Sequence, residues 1–139
     1  HRPAKRWPAE HYGALAATLA ATGLTPVILG TPAESPLAAA IRELCPAARD
    51  LTGGTTIADI AALARGASLA VGNDTGPMHL IAAIGAPSLV LFSADSDPAL
   101  CAPRGREVRI LRVPDLRDLP PERVIEAAAA LDAPAAPPA

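Results

Sequence analysis

Five consecutive residues, Ser88-Leu89-Val90-Leu91-Phe92, constrain this chain more than any other feature. A strand with one wet face alternates apolar and polar residues, so an unbroken apolar run of this kind implies a strand covered on both faces. Shorter runs at 26–29, 68–71 and 108–111, with a brief one at 50–52, punctuate the rest of the sequence, and helical periodicity lies between most of them. Trp7-Pro8-Ala9-Glu10 opens a helix with Pro8 at its first position, Tyr12, Leu15, Ala16 and Leu19 form its apolar stripe, and Gly23 ends it. Leu37, Ile41 and Leu44 mark a helix over 36–44 that Pro46 stops. Thr56 with Asp59 three residues on is a capping-box start for a helix over 57–65. Gly76-Pro77 opens a helix closed by Gly85, and Pro120-Pro121-Glu122 begins a last one that runs to Leu131.

Buried strands separated by helices predict a Rossmann-like α/β fold, a parallel sheet with helices on both faces. The alternation also predicts a strand ahead of the first helix, which the basic opening His1-Arg2-Pro3-Ala4-Lys5-Arg6 does not supply. Residues 1–131 therefore read as one domain lacking its first strand, part of a longer protein, and the Ala/Pro-rich stretch 132–139 reads as a disordered or extended tail.

Half of the 139 residues are hydrophobic, yet Trp7, Tyr12 and Phe92 are the only aromatics, so the core must be aliphatic. With 12 basic and 14 acidic residues the formal charge is −2, which argues against a phosphate-tracking face for nucleic acid. No apolar run reaches the roughly 18 residues a membrane span needs, and no secretory signal follows the basic start. Cys45 and Cys101 have no CxxC spacing and no histidine beside them; they read as two buried thiols in a reducing compartment and not as a zinc site. GxSxG, Walker A and GxGxxG patterns are absent. Asp95 and Asp97 read as loop polarity, and no paired general acid and base is apparent.

Ligands of open parallel sheets bind beyond the carboxyl ends of the strands. Residues 30–35, 72–79 and 93–104 lie at such ends, and Gly72-Asn73-Asp74-Thr75-Gly76-Pro77-Met78-His79 is the sharpest of the three. Gly76 permits close backbone approach, Pro77 fixes the first helical turn, and the free N–H groups of that turn suit a phosphate or pyrophosphate. Asp74 either accepts from sugar hydroxyls or, like Thr75, serves as a helix cap. His79 either donates to a phosphate or hydroxyl or is an ordinary, partly buried helix histidine.

Asp74-Thr75-Gly76-Pro77-Met78-His79, together with Lys5-Arg6-Trp7-Pro8, residues 30–34, the Leu51-Thr52-Gly53 turn, and Phe92 with Pro98 and Pro103 downstream, resembles the C-terminal domain of the lipopolysaccharide heptosyltransferases, glycosyltransferase family 9, of two-domain GT-B architecture. The likeness covers approximately residues 3 to 130. It implies a nucleotide-sugar-binding half of an inverting enzyme that transfers heptose from ADP-heptose to the lipopolysaccharide inner core, without metal or cofactor. On this resemblance Lys5 stabilises the leaving diphosphate, Glu34 holds ribose hydroxyls, and the turn from Gly54 to Ile57, Thr56 included, cradles the adenine. Thr75 and Gly76 offer N–H groups to the diphosphate at the turn that Pro77 shapes, Asp74 holds sugar hydroxyls, and His79 supports the same cluster. Trp7 is expected to pack, not to bind.

The resemblance further implies that no catalytic base lies in this chain. An absent N-terminal domain would supply it and receive the lipopolysaccharide precursor, at the cytoplasmic side of the inner membrane, with any membrane association confined to the full protein. Ser93-Ala94-Asp95-Ser96-Asp97 departs from the family, which commonly has glycine after the position of Phe92. Two other readings stand beside it: a non-catalytic nucleotide-binding or partner-docking module, and a structural domain that self-associates through Ala-rich helices.

Overall fold

The computed structural model describes residues 6–94 and 104–132. Lys5, Asp95, Asp97, Pro98, Cys101, Pro103 and the stretch 133–139 lie outside the described residues. In chain order the elements are α1 (Ala9–Ala21), β1 (Val27–Ile28), a 3₁₀ turn (Pro32–Glu34), α2 (Ser35–Leu44), β2 (Arg49–Asp50), α3 (Ile57–Gly66), β3 (Ala70–Asn73), α4 (Gly76–Ile84), β4 (Ser88–Phe92), β5 (Val108–Arg112), a second 3₁₀ turn (Leu116–Asp118) and α5 (Pro121–Asp132).

All strand pairs are parallel, as the alternation requires, but the pairing falls into two pieces. One is β1-β2 and the other β3-β4-β5, so β1 and β3 each keep one unpaired edge among the described residues. β4 is fully buried and shows why its sequence lacks polar alternation. Leu89 and Leu91 join Trp7, Leu15, Leu116, Leu119, Val124 and Ala128 in one cluster, beneath α1 and α5. Val90 and Phe92 join Ala64, Met78, Ile81 and Ala86 in another, beneath α3 and α4. Successive side chains leave a strand on opposite sides, so two clusters fed by alternate residues mean that both faces of the sheet carry helices.

Several boundaries differ from the sequence reading. α1 begins one residue later than expected, because Pro8 keeps an extended ψ of 147° and acts as N-cap, its carbonyl accepting from the His11 and Tyr12 N–H groups. β3 lies two residues further along than 68–71. Gly72 and Asn73 look like loop residues but pair with Val90 and Leu91, so partner geometry overrides their poor strand propensity. β2 is Arg49–Asp50 where 50–52 was expected: the Asp50 carboxylate takes the N–H and hydroxyl of Thr52 and turns the chain away. α5 reaches Asp132, so that residue belongs to the helix and not to the tail. Cys45 is a buried free thiol. No helix among the described residues is long and apolar enough to cross a membrane.

Candidate functional site

Three strand ends and the first turns of α1 build the site. At the end of β1, Gly30 leads to Thr31 and the 3₁₀ turn, where Glu34 folds back on its own loop. Its Oε1 accepts the Thr31 N–H at 2.9 Å and the Thr31 hydroxyl at 3.2 Å. Gly30 leaves space for this, since a Cβ there would lie 3.1 Å from Oε1. One oxygen of Glu34 is thus engaged locally, in a Thr-x-x-Glu capping box with the same three-residue spacing as Thr56 and Asp59.

The end of β2 docks on the same loop. Gly53 donates to Gly30 O at 2.8 Å and Ser35 Oγ lies 3.1 Å from Thr52 Oγ1. Gly53 sits at φ +74° against Pro32, a backbone shape L side chains rarely adopt. Beyond it, Leu51, Gly54, Thr55, Asp59, Ala62 and Leu63 line an open groove beside the turn expected to receive a base. Thr56, just after that turn, is spent on capping α3: its hydroxyl accepts the Asp59 N–H at 3.1 Å and its N–H donates to Asp59 Oδ2 at 2.9 Å.

The end of β3 is different. Thr75 caps α4 in extended conformation without a side-chain hydrogen bond. Pro77 has no N–H, and the His79 N–H closes the first turn onto Thr75 O at 3.3 Å. The N–H groups of Gly76 and Met78 therefore have neither an intrahelical partner nor a side-chain cap. Thr75, Gly76 and Pro77 are exposed, and a Cβ on Gly76 would meet nothing within 4 Å. Beneath them Met78 is buried against Gly72, where a Cβ would come within 2.9 Å of its Sδ. Asp74 and His79 come together across the turn, with Nε2 3.5 Å from Oδ1, and His79 is the more exposed of the two.

One participant escaped the sequence reading. Tyr12, on the apolar stripe of α1, donates its phenol to Asn73 Oδ1 at 2.8 Å, joining α1 to the last residue of β3. Burial pushes the Tyr12 phenol up, hydrogen bonding from the Asn73 backbone opposes this, and the nearby Glu34 charge adds to the rise. That Tyr12 is one of three aromatics is the one signal the sequence carried. Trp7 packs as expected, with Nε1 donating to Leu119 O at 2.8 Å.

The structure thus brings Asp74, Thr75, Gly76, Pro77 and His79 together at one turn, with Glu34 on the loop after β1 and Thr56 at the start of the neighbouring helix. A family model, Glycosyltransferase family 9 (heptosyltransferase), matches residues 1–129. The chain belongs to glycosyltransferase family 9. Among curated relatives of this family-9 chain, lipooligosaccharide heptosyltransferase 2 of Haemophilus influenzae is 31% identical over 80% of the chain. The match covers 33% of that relative, so the chain spans about a third of its length. The family resemblance extends to solved structures. Escherichia coli ADP-heptose lps heptosyltransferase II superposes with a TM-score of 0.83 at 30% identity, over 94% of this chain and 43% of that one. The E. coli heptosyltransferase WaaC with ADP gives 0.83 at 28% identity, over 94% and 41%. These neighbours bear out the Rossmann-like half of a GT-B glycosyltransferase as the fold of this family-9 chain.

Proposed function

We propose that residues 1–131 are the nucleotide-sugar-binding domain of an inverting heptosyltransferase, with ADP-heptose as donor and a lipopolysaccharide precursor as acceptor. The observation that carries this reading is the uncapped first turn of α4, set at the carboxyl end of a parallel strand with Asp74 and His79 at its rim. A neighbour described with ADP adds support. The split between β1-β2 and β3-β4-β5 supports a further strand, preceding α1, that joins the two pieces.

In this reading an acceptor hydroxyl attacks the anomeric carbon as the bond to the diphosphate oxygen breaks, and the acceptor proton passes to a base on the acceptor domain. Negative charge grows on the departing ADP. The Gly76 and Met78 N–H groups face that charge without having to reorganise, the arrangement that stabilises a transition state most. Lys5, outside the described residues, would add a compensating charge. Asp74 holds sugar hydroxyls, with His79 steadying it, and Glu34 takes ribose hydroxyls through the oxygen that Thr31 leaves free. Adenine lies along the turn containing Thr56. The reaction belongs on the cytoplasmic face of the inner membrane, where the precursor would be met by the acceptor domain.

Titration of the ¹⁵N-labelled chain with ADP tests the reading. Amide shifts confined to Glu34, Thr56 and the stretch from Asp74 to His79 are expected. Shifts elsewhere with these signals still would overturn it.

A further inference from the structure

We propose that Tyr12 is a positioning residue for the donor site, its phenol holding Asn73 so that the β3–α4 turn keeps the shape that receives a nucleoside diphosphate; the inference rests on the reading above. A helix start without a side-chain cap has little of its own to fix it, so its shape must be imposed from outside. On one side that is done by Met78, buried against Gly72. On the other the described residues offer the Tyr12 hydroxyl, 2.8 Å from Asn73 Oδ1 and contributed from 61 residues away.

The ring that carries this hydroxyl is itself held. Tyr12 meets Trp7 edge-on with centroids 4.7 Å apart at 78°, and Trp7 is tied to Leu119 O. Tyr12 also packs against two apolar clusters, one beneath β4 and one between α1 and α2. Turning it would disturb both, so the hydroxyl is delivered to one place. Phenylalanine would fill the same space; what tyrosine adds is a donor aimed at the residue before Asp74. Burial keeps the phenol protonated, with the Glu34 charge adding to the effect, so it is available to donate to Oδ1 of Asn73.

The test compares the chain with its Tyr12→Phe, Asn73→Ala and doubly substituted forms, titrated with ADP and with adenosine well below the melting temperature. Tyr12→Phe is expected to weaken ADP about fivefold to tenfold, the worth of one hydrogen bond, and to leave adenosine within about twofold. The double variant should bind ADP no worse than Asn73→Ala alone, because the two residues act as one link. The His79 amide, which closes the first turn onto Thr75 O, should exchange with solvent about tenfold faster in Tyr12→Phe without ligand. A merely structural role would lower the melting temperature and leave both affinities unchanged. ADP affinity and exchange equal to the parent chain's would overturn the inference while the donor-site reading stands; a parent chain that binds no ADP overturns both.

Discussion

α3 and α4 both begin on a threonine in extended conformation, Thr56 at φ −91° and Thr75 at φ −146°, and both follow a strand of the same parallel topology. Their first turns are nevertheless opposite in character. In α3 the third residue after the cap is Asp59, which exchanges two hydrogen bonds with Thr56 and so engages its own N–H and that of Thr56. In α4 the corresponding residue is Met78, an apolar side chain that turns into the core beneath Gly72 and offers the turn no acceptor. One position, occupied by an acid or by a hydrophobe, separates a helix start that carries its own capping carboxylate from one whose third N–H is left for an anion.

Closing α4 artificially should break that contrast. Gly76→Asp places a carboxylate in open space at the first turn. It should raise stability by about 1 kcal/mol, through the helix dipole and the loss of a flexible glycine. The same charge would face the diphosphate, so ADP affinity should fall at least about tenfold. Opposite signs from one substitution, read by thermal unfolding and calorimetric titration, are hard to produce in any other way. Unchanged ADP binding would mean that the anion sits elsewhere.

The two threonines sharpen the contrast further. Thr56→Ala should cost about 1 kcal/mol, a fall in melting temperature of roughly 3–5 °C for a domain of this size. Thr75→Ala removes no side-chain cap bond and should cost a few tenths of a kcal/mol. Equal losses in thermal unfolding would show that α4 is capped in solution after all.

What was legible in the sequence follows the range of the interactions involved. The capping box of α3 is a contact between residues three apart, and the doubly covered β4 is a local run of apolar side chains; both could be read directly. The strand character of Gly72 and Asn73 could not, because it is imposed by Val90 and Leu91 across the sheet. The 3₁₀ turn at Pro32–Glu34 read as loop, so the Thr31–Glu34 capping box was passed over although it is as local as that of Thr56 and Asp59. Periodicity placed Tyr12 on a buried stripe but is blind to its hydroxyl, whose partner lies on another element. The residues of the β3–α4 turn were legible as a group because glycine, proline and a capping residue in succession have few other uses.

A smaller effect separates charge from shape at α4. Asp74→Asn removes a negative charge beside the proposed diphosphate and weakens the link to His79. ADP binding should be unchanged or up to about twofold tighter, whereas ADP-heptose, whose sugar hydroxyls lose an ionised acceptor, should bind about threefold more weakly. Equal losses for both ligands would instead assign Asp74 to the shape of the turn.

The smallest effect concerns the turn that feeds α3, and it depends on pH. The Thr52 hydroxyl and N–H, at 2.6 and 2.9 Å, hold the Asp50 carboxyl below the usual carboxylate range, with the Arg42 charge helping and slight desolvation opposing. A carboxyl whose folded pKa is depressed binds fewer protons in the folded chain than in the unfolded one. Its contribution is complete above the unfolded pKa, near 3.9, and is lost as the pH falls through the folded value. Because Asp50 is open to solvent, its share of global stability is small and the local readout is the useful one. Amide exchange from Thr52 to Gly54, corrected for the intrinsic pH dependence, should accelerate as the pH drops from 5 to below 3. Asp50→Asn should abolish that acceleration and leave Gly76 and Met78 as they were. If acid loosened both helix starts together in the variant as in the parent, the turn before α3 would owe its order to the whole fold and not to its own aspartate, and the contrast between the two starts would narrow to the single pair Thr56 and Asp59.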